Sequence, residues 1–101
     1  MTSNTIDWLV QEVSDLLDSA SVGIYEFVWL LRGAGFDLSE DQMITCSAEA
    51  LERLLDDDSN QLIWLRWPSE AEVDEALPTT LGPRAWSSPT LKENYLAIKR
   101  T

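Results

Sequence analysis

The stretch Ile24-Tyr25-Glu26-Phe27-Val28-Trp29-Leu30-Leu31 carries a single charged side chain, Glu26. A helix that is apolar nearly all round has to be covered on nearly all sides. It is therefore expected to be the buried central helix, with Tyr25, Trp29 and Leu30 inside. Ser21 is placed to cap its start. Gly33-Ala34-Gly35 is placed to end it, because a glycine takes the left-handed conformation that closes a helix.

Outward from this helix, Asn4–Ala20 has Ile6, Leu9, Val10, Val13, Leu16 and Leu17 at helical spacing on one face. Ser3, Asn4 or Thr5 is the expected cap, and Trp8 falls on the flank of the stripe. After the glycine turn, Ser39-Glu40-Asp41-Gln42 has the form of a capping box. Met43, Ile44, Ser47, Ala50, Leu51, Leu54 and Leu55 continue as an inner stripe, with Cys46 at its margin. Glu49 and Arg53 stand at i,i+4, acid first, the favourable order for a helical ion pair. Asp56-Asp57-Asp58 opposes the helix dipole and ends this helix.

Gln61–Trp67 is short and β-prone, and reads as a strand with Ile63, Leu65 and Trp67 inward. Glu70–Leu77 reads as a short helix stopped by Pro78. Residues 78–89 hold three prolines without periodicity and form a long loop. Tyr95–Lys99 alternates and reads as a second strand, Leu96 and Ile98 inward, antiparallel to the first. The expected fold is α+β in one domain over 1–101: a three-helix core, a two-stranded antiparallel sheet, a short helix and a proline-rich loop.

The charge is unevenly distributed. Of 18 acidic and 7 basic residues, giving a net charge of −11, the whole excess lies before Arg66, where only Arg32 and Arg53 are cationic. Such a surface repels phosphate backbones and anionic membranes and attracts basic proteins. There is one cysteine and no histidine. An internal disulfide, a Ser-His-Asp triad, a Cys-His dyad and an ordinary zinc site are excluded. Gly33-Ala34-Gly35 follows a helix and lacks the lysine of a phosphate-binding loop. Asp56-x-Asp58-x-Asn60 resembles the start of a calcium loop, but Gln61 replaces the required glycine and Trp67 the final acid. No cofactor or metal is expected, nor is an enzyme. No signal segment precedes the first helix and no apolar run spans a bilayer, so the expectation is a cytoplasmic protein.

The order from Ser21 to Trp67, namely Ile24–Leu31, Gly33-Ala34-Gly35, Phe36–Asp41, Ala50–Leu55 and the strand opening at Leu62, resembles the winged-helix arrangement, with Tyr95–Lys99 as the wing's return. It departs from that family where a helix and a proline loop stand at the wing tip. It departs also in charge, since a recognition helix needs Lys or Arg for phosphates and guanine. In size, acidity and lack of catalytic groups the chain is similar to immunity proteins and nuclease inhibitors. That likeness implies a module that neutralises a basic protein partner. The contacts would be the acids Glu40, Asp41, Glu49, Glu52, Asp56, Asp57 and Asp58, with Trp64, Trp86 and Tyr95 as aromatic anchors. The alternative is a winged-helix regulator or adaptor, acting in a larger assembly or as a homodimer through the first helix.

Overall fold

The computed structural model describes residues 3–101. Three helices pack on one side of a four-stranded antiparallel sheet, an α+β fold with twice the expected number of strands. The elements are α1 (Ser3–Leu17), β1 (Val22–Gly23), α2 (Ile24–Gly33), α3 (Glu40–Leu55), β2 (Asn60–Arg66), β3 (Ala71–Val73), a 3-10 turn at Pro83–Trp86, and β4 (Asn94–Arg100). The sheet order is β1-β4-β2-β3. That order is broadly consistent with a winged-helix-like topology. Among the described residues no helix is long and apolar enough to cross a membrane.

Helix α1 buries Ile6, Leu9, Val13 and Leu17. Leu16, expected on the same stripe, is 43% exposed and Trp8 is half-buried. Ser3, Asn4 and Thr5, the expected caps, are all within the helix itself.

The start of α2 departs from expectation. Ser21 is not its cap. Residues 22 and 23 are extended and pair with Ile98 and Ala97 of β4, and the helix begins directly after them. Gly23 is the N-cap, and the Glu26 carboxylate accepts its N–H at 2.6 Å. That bond satisfies one of the donors that a helix start leaves unpaired. Ala34 closes the helix and Gly35 follows at φ 79, in the left-handed region. Ile24, Tyr25, Phe27, Val28 and Leu31 are buried, but Trp29 is 51% exposed and Leu30 only half-buried. The helix is central without being covered all round.

Strands β2 and β4 pair antiparallel over their whole length, with Leu62 opposite Ile98 and Trp64 opposite Leu96. Side chains of directly opposed residues share a face. Leu62, Trp64, Leu96 and Ile98 therefore point together into the helical core. This corrects the expected sidedness of the first strand, while Leu96 and Ile98 lie as expected. Ile63 and Leu65 are buried too, but on the far face, with Tyr95, Ala97, Tyr25 and the flank of Trp67. Tyr25 reaches that face by passing over Gly23, where its ring leaves no room for a side chain: an added Cβ would lie 2.5 Å from Cε1. The Tyr25 ring meets those of Tyr95 and Trp29 edge-on at 5.6 and 5.0 Å. Lys99 and Glu72, 3.1 Å apart, bridge the same face.

The expected helix 70–77 is absent. Residues 71–73 instead form β3, paired with Trp64–Arg66. The chain reverses just before them, through a cis Trp67–Pro68 bond and Glu70 at φ 59. Pairing with an existing strand edge overrides the local helix preference of Glu, Ala and Leu. The loop beyond is anchored rather than free. Its 3-10 turn inserts Trp86, 5% exposed, against Phe27, with ring centroids 6.2 Å apart.

Candidate functional site

Helix α3 is built as the sequence implies. Ser39 Oγ accepts the Gln42 N–H at 3.2 Å, and Gln42 Oε1 accepts the Ser39 N–H at 2.8 Å. Glu40 and Asp41 lie in the first turn, where negative charge suits the dipole. Met43, Ser47, Ala50, Leu51 and Leu54 face inward. Cys46 is fully buried rather than marginal, and burial pushes its thiol pKa up. The stripe thereby sends Asp41, Glu49, Glu52 and Asp56 to the opposite, exposed face. At 1.5 Å per residue these four acids run over about 22 Å.

Asp57 and Asp58 extend the row into the turn after α3 and are exposed as well. The Asp57 carboxylate accepts the Ser59 N–H at 2.9 Å and the Ser59 hydroxyl at 2.8 Å. Those two bonds hold its carboxyl below the ordinary aspartate value. Its charge is accordingly fixed in place at neutral pH.

Five of the seven cations are committed to ion pairs elsewhere. Arg53 reaches Asp7 of α1 at 2.6 Å and not Glu49, the partner its spacing implied. The longer reach joins two helices. Arg32 bridges to Glu40, so the first acid of the row is partly neutralised. Arg100 pairs with Asp18, Lys99 with Glu72, and Arg84 more loosely with Glu93. Among the described residues no cation forms an ion pair with Asp41, Glu49, Glu52, Asp56, Asp57 or Asp58. Nor is there, among the described residues, a group of three or more Asp, Glu or Cys side chains placed to hold a metal ion.

The expected aromatic anchors are not on this surface. Trp86 and Tyr95 are buried, one as a wedge under α2 and the other on the covered far face of the sheet. Each is committed to packing, because β4 is an interior strand and the proline loop folds back on the core. Trp64 is half-buried and its indole N–H donates to the Ala76 carbonyl at 3.1 Å.

The uncovered aromatic is Trp29. It lines an open groove of about 370 Å³ between α1 and α2, together with Trp8, Leu16 and Leu30. Gly33, with nothing within 4 Å of the Cβ it lacks, leaves one end of the groove open. Glu26 is the charged residue of the lining. Burial raises its carboxyl pKa, the Gly23 N–H works against that rise, and the nearby negative Glu70 adds to it. Sequence reasoning missed this groove because it took an apolar α2 to be a covered one. The available signal was Trp8: standing off the α1 stripe, it marked that helix as having a second apolar edge. Compared with known protein families, with curated proteins and with solved structures, the chain matches none.

Proposed function

We propose that this protein is a small acidic binding module that engages a basic protein partner and neutralises it, in the manner of an immunity protein or an inhibitor of a nuclease or toxin. The observation that carries this reading is the row on α3 and its following turn. Six carboxylates, Asp41 to Asp58, are exposed and without ion-pair partners among the described residues. A one-signed row on a rigid helix speeds encounter with a cationic surface and occupies sites that otherwise hold phosphate. The same row opposes a nucleic-acid role, because a helix presented to DNA has to meet phosphates with cations. The helix and strand order supports a winged-helix adaptor as the second reading, with the scaffold used for protein contact, since fold alone does not carry function.

The test is capture from native extract by the immobilised protein beside a variant carrying Glu49→Gln, Glu52→Gln and Asp56→Asn. The expected outcome is a basic protein that elutes at raised salt from the first and is absent from the second. Equal recovery on both, or recovery of DNA alone, refutes the reading.

A further inference from the structure

The groove between α1 and α2 combines two properties that a plain surface does not need. Among the described residues, four large apolar side chains are left exposed, and two of them, Leu16 and Trp29, line this one groove. A single exposed apolar residue needs no explanation, whereas a rimmed apolar depression marks a contact site. Its charge has one sign. Glu26 is part of the lining, half-buried and fixed by the Gly23 N–H. On α1, Glu12 stands one turn from both Trp8 and Leu16, on the same edge of the helix. The cation nearest in sequence, Arg32, is bridged away to Glu40.

These features discriminate between occupants. A second copy of this chain would bring a further net charge of −11 against the same acidic rim. An apolar segment carrying cations would fill the depression and meet both carboxylates. An open apolar depression lined by two helices suits a helix laid in it, anchored by side chains spaced i, i+3, i+4 and i+7.

We propose that this groove receives a cationic amphipathic helix of the partner, its apolar side chains packing between Leu16 and Trp29 and a lysine or arginine meeting Glu26 and Glu12. The inference rests on the basic-partner reading above only for the existence of such a partner; the groove itself is testable without it.

The probe is a synthetic helical peptide with leucine and phenylalanine at i, i+3, i+4 and i+7 on one face and arginine on the other. Its control has glutamate in place of every arginine. The isotope-labelled full chain is titrated with each, and amide and indole N–H signals are followed. The arginine peptide is expected to move the indole signals of Trp8 and Trp29 and the amides of 26–34, and the glutamate peptide to move none of them. Glu26→Gln keeps an acceptor for the Gly23 N–H and removes the charge, and should weaken binding about tenfold, the loss of one charge-assisted hydrogen bond. Gly33→Leu fills the cleft from a position whose Cβ meets nothing, and should abolish binding with the helical circular dichroism unchanged.

Binding of both peptides alike, shifts confined to α3, or a self-association removed by Gly33→Leu would each overturn the proposal. If the groove fails while the α3 row still retains a basic partner, the proposed function stands alone. If the arginine peptide enters the groove but the α3 row retains nothing basic, the proposed function falls and the groove stands.

Discussion

Gly23→Ala probes the glycine whose missing side chain leaves room for the Tyr25 ring. The Gly23 backbone lies at φ −64 and ψ 141, ordinary extended values that alanine adopts freely. Space, not conformation, is what requires glycine. An alanine Cβ would stand 2.5 and 2.8 Å from two ring carbons of Tyr25 and 3.1 Å from one of Tyr95. Neither ring yields by rotating a flexible end, because Tyr25 is held edge-on by Trp29 and by Tyr95. Overpacking of this kind costs about 1–3 kcal/mol. Displacing two edge-on ring contacts adds roughly 0.5–1.5 kcal/mol each. The stiffer unfolded chain returns about 0.4–1 kcal/mol. Taken at the middle of these ranges, the net destabilisation is about 3 kcal/mol, a fall in melting temperature on the order of 12–24 °C for a domain of this size.

Thermal and urea unfolding of four proteins measure it: the parent, Gly23→Ala, Tyr25→Ala and the double variant. With the Tyr25 ring gone, the alanine should cost little, giving a coupling of about 2 kcal/mol between the two positions. A Gly23→Ala protein as stable as its parent, or one destabilised equally in both backgrounds, would refute the assignment of that glycine to ring clearance.

Other expectations are open to measurement. Ser47→Ala should stabilise by about 1 kcal/mol in urea unfolding, because the Ser47 hydroxyl is buried without a hydrogen-bond partner among the described residues. Trp86→Ala should destabilise by about 3–5 kcal/mol, since it removes the wedge beside Phe27; a loss below 1 kcal/mol would show the proline loop to be detached from the core. Burial, assisted by negative Glu70, pushes the Tyr95 phenol up to about 12, and burial raises Tyr25 as well. A folded-state value above the unfolded one near 10 means stability that is full below pH 10 and lost as pH rises toward 12. Tyrosinate absorbance should therefore lag behind that of the unfolded chain and rise together with unfolding.

Legibility in the sequence followed how local each signal was. The Ser39–Gln42 capping box, the glycine turn at 33–35 and the antiparallel pairing of β2 with β4 are local or simply periodic, and all are present. Strand β1 is two residues long and exists through its pairing with Ile98 and Ala97, which no window of sequence displays. The sidedness of β2 was ambiguous for a physical reason. Both of its faces are covered, so Leu62 and Trp64 compete with Ile63 and Leu65 on equal terms. The acid row of α3 could be read, because its exposure follows from the inner stripe. The aromatic assignments could not. Trp86 and Tyr95 are held by long-range packing, whereas Trp29, in the most apolar run of the chain, stands half in solvent.

The position of β4 sets a condition on how the molecule assembles. It is the last strand in chain order, yet it lies between β1 and β2 and is the one link joining them. Until residues 94–100 dock, β1 has no neighbour and β2 has only β3, so the helices can cluster before any continuous sheet exists beneath them. Building the middle of the sheet from the last strand in sequence makes closure a long-range step, slow by its nature. A chain lacking that segment would present the bare long edge of β2 to its neighbours, the usual starting point for aggregation.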